Sequence, residues 1–179
     1  MNWSDALIID YTGTFETNEK SKLYAFERFD RKVMELIRQP NDKKLMVTFD
    51  TAFGWQHKTP SVVKDHLNLS GYNPLIGPNH PGGERFPVVQ DIYIYDCAEK
   101  VADGGPVVIA GLKHGKSLNA EDADFMHILG ADCYCYNTVP TMLVAAHLAW
   151  KVLSIVGPDN QGWQKSCLAK MKELSACAK

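Results

Sequence analysis

Short apolar runs alternate along this chain with stretches whose apolar positions recur every three or four residues. The first run, 6–9 (ALII), reads as a buried strand, and Gly13 behind it permits a sharp turn. Leu23, Phe26, Val33, Leu36 and Ile37 recur at helical spacing with charged residues between them, which predicts a helix over 18–38. Pro40 stops it, because proline cannot continue the hydrogen-bond ladder. Residues 44–49 (KLMVTF) read as the next strand, and strand–helix–strand is a crossover unit that implies parallel pairing. A polar turn at 50–58 leads to a short strand at 61–64. A helix is predicted over 88–103, with Ile92, Tyr95, Cys97 and Ala98 as inward positions. Residues 106–110 (PVVIA) read as a strand buried on both faces, since they do not alternate. Then follow a basic loop at 111–119 and a helix at 120–129, with Asn119 as its N-cap and Glu121 and Asp122 in its first turn. A strand at 131–136, a helix at 139–150 opened by Pro140, a strand at 152–156 and a helix at 161–176 complete the chain.

This pattern predicts an α/β, three-layer αβα domain over residues 1–179, with helices on both faces of the sheet. Ligands of such folds sit beyond the carboxyl ends of the strands, so chemistry is expected in the loops 10–19, 49–60, 111–119 and 136–138. Residues 65–87 (DHLNLSGYNPLIGPNHPGGERFP) form a Gly-, Pro- and Asn-rich stretch too polar for a core. Loops of that length in compact domains bind, cap or join something.

Composition narrows the classes. Hydrophobic residues are 45% and charged residues 22%, which is ordinary globular usage. Lys plus Arg number 19 against 21 for Asp plus Glu, so no overall charge footprint points to nucleic acid or membrane. No apolar run approaches the roughly 18 residues that a membrane span needs. The opening MNWSDALII carries no basic region and does not read as a signal peptide. Five cysteines without zinc-type spacing fit reduced thiols in a cytoplasmic protein. Cys133 and Cys135 fall on one side of a strand, as packing groups do. Lys113, His114 and Lys116 make one concentrated basic loop: a solvated loop is the plain reading, an anion site the sharper one. Asp65 and His66 are adjacent and diverge on a strand, nothing sets up a Ser-His-Asp relay, and His147 reads as a packing histidine. The lysines of the last helix, Lys165, Lys170, Lys172 and Lys179, suit its dipole.

Two blocks then carry a resemblance. DHLNL at 65–69, NPLIGPN at 73–79 and RFP at 85–87 form the first; LGAD at 129–132, TVP at 138–140 and VAAH at 144–147 form the second. In order and spacing they resemble the trimeric purine nucleoside phosphorylase and methylthioadenosine phosphorylase family over roughly residues 43–156. GTFE at 13–16 followed by Glu19 is similar to that family's phosphate-binding GRFHxYEG segment. The resemblance implies a nucleoside-phosphorylase-like fold, phosphorolysis of purine nucleosides, a trimer whose subunits share sites, and no metal or organic cofactor. It also implies that the chain lacks the family's first strand and serine-bearing phosphate loop.

Residue by residue, the resemblance implies a damaged site. The phosphate-binding Arg falls on Thr14 and its neighbouring His on Glu16. The Asn-Ala-Ala turn that contacts phosphate falls on Phe49, Asp50 and Thr51. The Met and Ser of the Met-Ser-Thr triplet fall on Tyr136 and Asn137, and the purine-anchoring Phe-Glu-Thr on Ser117, Leu118 and Asn119. The Glu that ends the TVPE block is Thr141. A purine-contacting Asn corresponds to Asn160, although a helix N-cap explains that residue as well. His66 is implied to organise the neighbouring site. Asn73, Pro74, Asn79, His80, Arg85 and Phe86 are implied contacts with another subunit or a companion protein.

The expectation is a catalytically inactive, phosphorylase-like structural or protein-interaction module, a homo-oligomer or one bound to a companion protein. One alternative is a rebuilt phosphorylase or nucleosidase that uses Glu16, Asp50, Asn137 and Lys116, with Glu16 and Asp50 holding a water. The other is a protein that binds a purine nucleoside or phosphate without reaction, its pocket lined by Phe15, His114 and Tyr136. No cofactor, metal, nucleic acid or membrane enters any of the three.

Overall fold

The computed structural model describes residues 3–42, 44–54, 58–160 and 162–177. Among these residues seven strands form one sheet: β1 (Leu7–Asp10), β2 (Leu23–Ala25), β3 (Leu45–Thr51), β4 (Ser61–Asn68), β5 (Val107–Gly111), β6 (Cys133–Cys135) and β7 (Lys151–Gly157), in the order β2-β1-β3-β7-β4-β5-β6. Five helices pack around it: α1 (Arg31–Ile37), α2 (Ala98–Val101), α3 (Ala120–Ile128), α4 (Thr138–His147) and α5 (Trp163–Cys177). Strand residues alternate between two cores. Leu7, Ile9, Met46, Val152 and Val156 face α1 and α4, whereas Ile8, Val47, Phe49, Leu153 and Ile155 face α2 and α5. Near-continuous apolar strands therefore serve both faces at once, as the αβα expectation requires.

The sheet is mixed. β2, β1, β3 and β7 run parallel, and so do β4, β5 and β6, but β4 meets β7 antiparallel through Ser61–Val156 and Val62–Ile155. A bridge between Phe53 and Tyr134 then brings the end of β3 onto β6, with both N–H···O contacts at 2.8 Å. The sheet thus curls back on itself, and the carboxyl ends of strands from both halves meet.

Two predicted helices are corrected. Residues 18–38 contain a short 3-10 turn at Glu19–Ser21, the edge strand β2, and a helix only from Arg31. Asp30 starts that helix by accepting from the N–H groups of Lys32 and Val33 at 2.8 and 3.2 Å. Leu23 was read as helical but pairs with Ile8 of β1. Residues 88–103 are mostly irregular, with a 3-10 turn at Gln90–Ile92 and the four-residue α2. Ile92 and Ala98 are buried as predicted, but Tyr95 is exposed and its neighbour Tyr93 is buried instead. Tyr93 is held by a bridge to Val152, and the Ile94 N–H donates to the Val152 carbonyl at 2.8 Å. β4 continues to Asn68, so the long loop begins later than 65, and Asp50 and Thr51 belong to β3 and not to a turn. Residues 55–57, which complete the predicted turn, and residue 161, the predicted start of the last helix, lie outside the described residues.

Among the described residues no helix is long and apolar enough to cross a membrane, and no cluster of three metal-ligating side chains is present.

Candidate functional site

α4 enters the centre of the molecule with nine of its residues buried, and its N-terminus points at the ends of β3 and β6. The first N–H groups of any helix need acceptors. Here Asp50 supplies them. Its carboxylate accepts from Asn137 N and Thr138 N, both at 3.0 Å, from Thr138 Oγ1 at 3.0 Å, from Asn137 Nδ2 at 3.1 Å and from its own neighbour Thr51 N at 3.0 Å. Asp50 is 2% exposed. Burial pushes its pKa up, while the donors of Asn137 and Thr138 pull the other way. A negative or hydrogen-bond-accepting group belongs at this place electrostatically, and the chain provides it from the Asp50 side chain.

Asn137 works in two directions. Its Nδ2 donates to Asp50, and its Oδ1 accepts from Phe29 N at 2.9 Å. One turn later Thr141 Oγ1 donates to the Asn137 carbonyl at 2.7 Å and lies 2.6 Å from the buried Tyr11 hydroxyl. The loop 11–15 is organised separately. The buried Asp10 carboxylate accepts from Thr12 N, Thr14 N and Phe15 N at 3.0 Å each and from Thr12 Oγ1 at 2.6 Å. Thr14 is thereby tied down beside Thr12, whereas Glu16 is exposed.

Next to Asn137 lies a cleft of about 400 Å³, lined among others by Arg28, Phe29, Tyr72, Lys113, His114 and Tyr136. Its walls are aromatic: Phe29 and Tyr72 have ring centroids 6.4 Å apart, and His114 and Tyr136 5.2 Å. The Tyr136 hydroxyl donates to the Lys116 carbonyl at 2.5 Å, which fixes the basic loop to the start of α4. Among the described residues the full lining includes no Asp or Glu.

Thus the structure brings Asp50, Tyr136 and Asn137 together, with His114 on the same cleft. It does not bring the other expected residues there. Leu118 packs into a small apolar cluster with Ala110, Leu112 and Tyr134. Lys116 offers its backbone carbonyl and not its ammonium group. Phe15, expected in the ligand pocket with Tyr136, instead packs on Phe49 at 5.7 Å, in the core beneath α5. Asn160 sits in the 158–160 turn, three residues before α5 begins, so it is neither that helix's N-cap nor part of the cleft. His66 is half-buried, with Nδ1 2.6 Å from the Tyr93 hydroxyl; burial lowers its pKa and Asp65 opposes the shift.

The second group lies on the long loop. Asn73 Oδ1 accepts from Leu75 N at 2.9 Å, Asn79 Nδ2 donates to Gly83 O at 3.0 Å, and Arg85 Nη1 donates to Gly77 O at 3.1 Å. These bonds hold the loop against itself. His147, at the end of α4, anchors it further: its Nδ1 is 2.6 Å from Glu84 O, and Glu84 N donates to the His147 carbonyl at 3.0 Å. A Cβ at Gly83 would lie 2.2 Å from His147 Nε2, so glycine is required where the loop crosses that ring. His147 is a packing residue as expected, although its Nε2 has no hydrogen-bond partner among the described residues. His80 packs beside it at 6.3 Å, ring to ring. With the loop so held, Ile76, Phe86 and Val88 remain 83%, 86% and 63% exposed. Ile76, Phe86, Pro74's neighbours Asn73 and Leu75, and Arg85 line a surface groove of about 480 Å³.

Sequence reasoning missed Arg28, Phe29 and Tyr72 as cleft residues. The first two were absorbed into the over-long helix, although Asp30 before an amphipathic run was a readable start signal.

No family model matches the chain. Over 111 residues it is 35% identical to "Putative purine nucleoside phosphorylase" of Schizosaccharomyces pombe, covering 52% of this chain and 34% of that protein. It is 33% identical over 103 residues to "Purine nucleoside phosphorylase 1" of Bacillus subtilis, covering 52% and 38%, and 32% identical over 108 residues to the mouse purine nucleoside phosphorylase, covering 51% and 36%. The matched segments span little more than a third of these relatives. Among solved structures, Schistosoma purine nucleoside phosphorylase in complex with guanosine superposes with a TM-score of 0.64 at 19% identity, covering 73% of this chain and 62% of that one. The Schistosoma mansoni enzyme in a complex with BCX-34 gives 0.62 at 21% identity, covering 76% and 61%. The fold is therefore nucleoside-phosphorylase-like, with the central sheet flanked by helices.

Proposed function

We propose that this chain is a phosphorylase-like scaffold that does not carry out phosphorolysis and acts as an assembly or protein-interaction module. The observation that carries this reading is the Asp50 carboxylate on the N-terminus of α4. Phosphorolysis needs an anion held where its charge is stabilised in the transition state. The sequence resemblance puts a phosphate-contacting turn at Phe49, Asp50 and Thr51, and the Ser of the Met-Ser-Thr triplet at Asn137. At that turn the available donors already serve an internal carboxyl group, and a phosphate brought beside it would meet repulsion at low dielectric. Even a protonated Asp50 would occupy the acceptor position. Thr14 and Glu16 add no cation to compensate.

The loop supports the interaction half of the proposal. Its internal hydrogen bonds present Ile76, Phe86 and Val88 to solvent as a shaped apolar surface beside Arg85, the composition expected at the centre of a protein interface. The fitting partner is a second copy of this chain or a companion protein. The hydrolase alternative gains little from the geometry: Asp50 is committed and buried, and Glu16 is exposed.

Incubation with inosine, guanosine or methylthioadenosine and phosphate is expected to release no base. Sedimentation velocity is expected to show an assembly that the Ile76→Asp, Phe86→Asp double variant loses. Phosphate-dependent turnover at ordinary enzyme rates would overturn the first half. A wild-type monomer that also captures no companion protein would overturn the second.

A further inference from the structure

We propose that the cleft beside Asn137 binds an aromatic ring that carries its own phosphate, of the nucleoside monophosphate class, in place of a neutral nucleoside beside free phosphate. The cleft is assembled from four separate stretches: Arg28 and Phe29 ahead of α1, Ser70 to Tyr72 behind β4, Leu112 to His114 behind β5, and Tyr136, Asn137 and Pro140 at the start of α4. At about 400 Å³ it has the size of a small-ligand site. The Phe29–Tyr72 and His114–Tyr136 pairs supply flat apolar surface, which suits a planar ring.

Charge sets the rest of the ligand. Arg28 and Lys113 line the cleft, no acidic residue among the described residues does, and the chain as a whole has a net charge of -2. The cleft lining is positive on a molecule that is slightly negative as a whole. Among the described residues the ion pairs are Arg31–Glu35 and Lys170–Asp103, so neither cleft cation is neutralised by one. The acceptor-hungry groups next door, Asn137 N and Thr138 N, are already occupied by Asp50. Inorganic phosphate therefore finds no backbone cradle here. It would find only two exposed cations, whose pairing with a free ion in water is weak and screened by salt. Joined covalently to a ring that the aromatic walls hold, the same phosphate is presented to Arg28 and Lys113 at high effective concentration. Two weak contacts become useful only when one molecule makes both.

This inference stands apart from the assembly reading, because it concerns a different surface and needs no reaction. Calorimetric titration of the full chain with AMP and GMP, with adenosine and guanosine, and with inorganic phosphate tests it. The monophosphates are expected to bind about tenfold or more tightly than their nucleosides at low salt, with the ratio shrinking as salt rises. Inorganic phosphate is expected to show no binding over the same range. In the Arg28→Ala, Lys113→Ala double variant the ratio is expected to fall toward one, and Tyr136→Ala is expected to weaken both ligands. Equal binding of nucleoside and monophosphate, binding of inorganic phosphate alone, an unchanged ratio in the double variant, or no binding of any monophosphate would each overturn it. None of these results alters the outcome of the phosphorolysis or sedimentation experiments, so the two proposals fail separately.

Discussion

Asp50 shows how one side chain can close a buried helix end from within the chain. Its carboxyl group ties the end of β3 to the start of α4 through the backbone and side chains of Asn137 and Thr138. Each of those donors is buried, and a buried donor left without an acceptor costs about 1–3 kcal/mol. Asp50→Ala is expected to lower unfolding free energy in urea by at least about 3 kcal/mol, and Asp50→Asn by less, because the amide oxygen keeps some of the bonds. A loss under about 1 kcal/mol for the alanine variant would mean that solvent replaces the carboxylate. The presence of an anion at Asp50 was readable from the sequence once the resemblance was drawn. Its partner was not. Asn137 and Thr138 lie 87 and 88 residues away along the chain, and only the curl of the sheet brings them to it. Likewise Thr14 was visible as a loop residue, but the buried Asp10 that organises the loop was hidden at the end of an apolar run.

At the scale of elements, strands that are apolar on both faces were legible because burial on two sides leaves no room for other residue types. β1, β3, β5 and β7 all lie close to their predicted places. Failures occurred where tertiary pairing overrode a local period. Leu23 and Phe26 are three apart and fit a helix, but the Phe26 N–H donates to the Asp10 carbonyl at 2.8 Å, so this segment extends along β1. A strand of three residues has too little length to display its own period of two. The end of α4 gives a cleaner local test. Trp150 N donates to Ala145 O and Ala149 N to Ala146 O, both at 3.0 Å, and Ala149 has φ of 58°. That is a Schellman ending, in which the left-handed residue is usually glycine. The exposed Ala149 carries a Cβ that this conformation disfavours by roughly 1 kcal/mol. Ala149→Gly is therefore expected to raise the midpoint of thermal unfolding by a few degrees, roughly what about 0.5–1 kcal/mol gives in a chain of this size. An unchanged or lowered midpoint would show that the greater freedom of glycine in the unfolded chain cancels the relief.

Seen whole, the molecule couples a nearly closed sheet to two different surfaces: a cationic aromatic cleft near the strand ends and an apolar loop face held by His147 and Gly83. The layer architecture was predictable because alternation and double burial are properties of each segment alone. The reversal of β4 against β7 was not, since direction is set by which strands meet and not by what either contains. That arrangement also has a consequence in time. β7 lies at the middle of the sheet, between β3 and β4, yet it comes after the first 150 residues of the chain. A ribosome adding about 5–20 residues per second would spend roughly 5–20 s on the stretch between β3 and β7 before the central strand exists. Throughout that interval β3 lacks its inner neighbour, and its apolar edge is open to wrong pairing. Stalled nascent chains whose emerged portion stops before Lys151 should be digested readily by protease, and those that expose Lys151–Gly157 and α5 should resist. Protection of the shorter chains would mean that the half-sheets hold together alone. Otherwise β3 stays unpaired on its inner side until a strand made about 100 residues later arrives to complete the sheet.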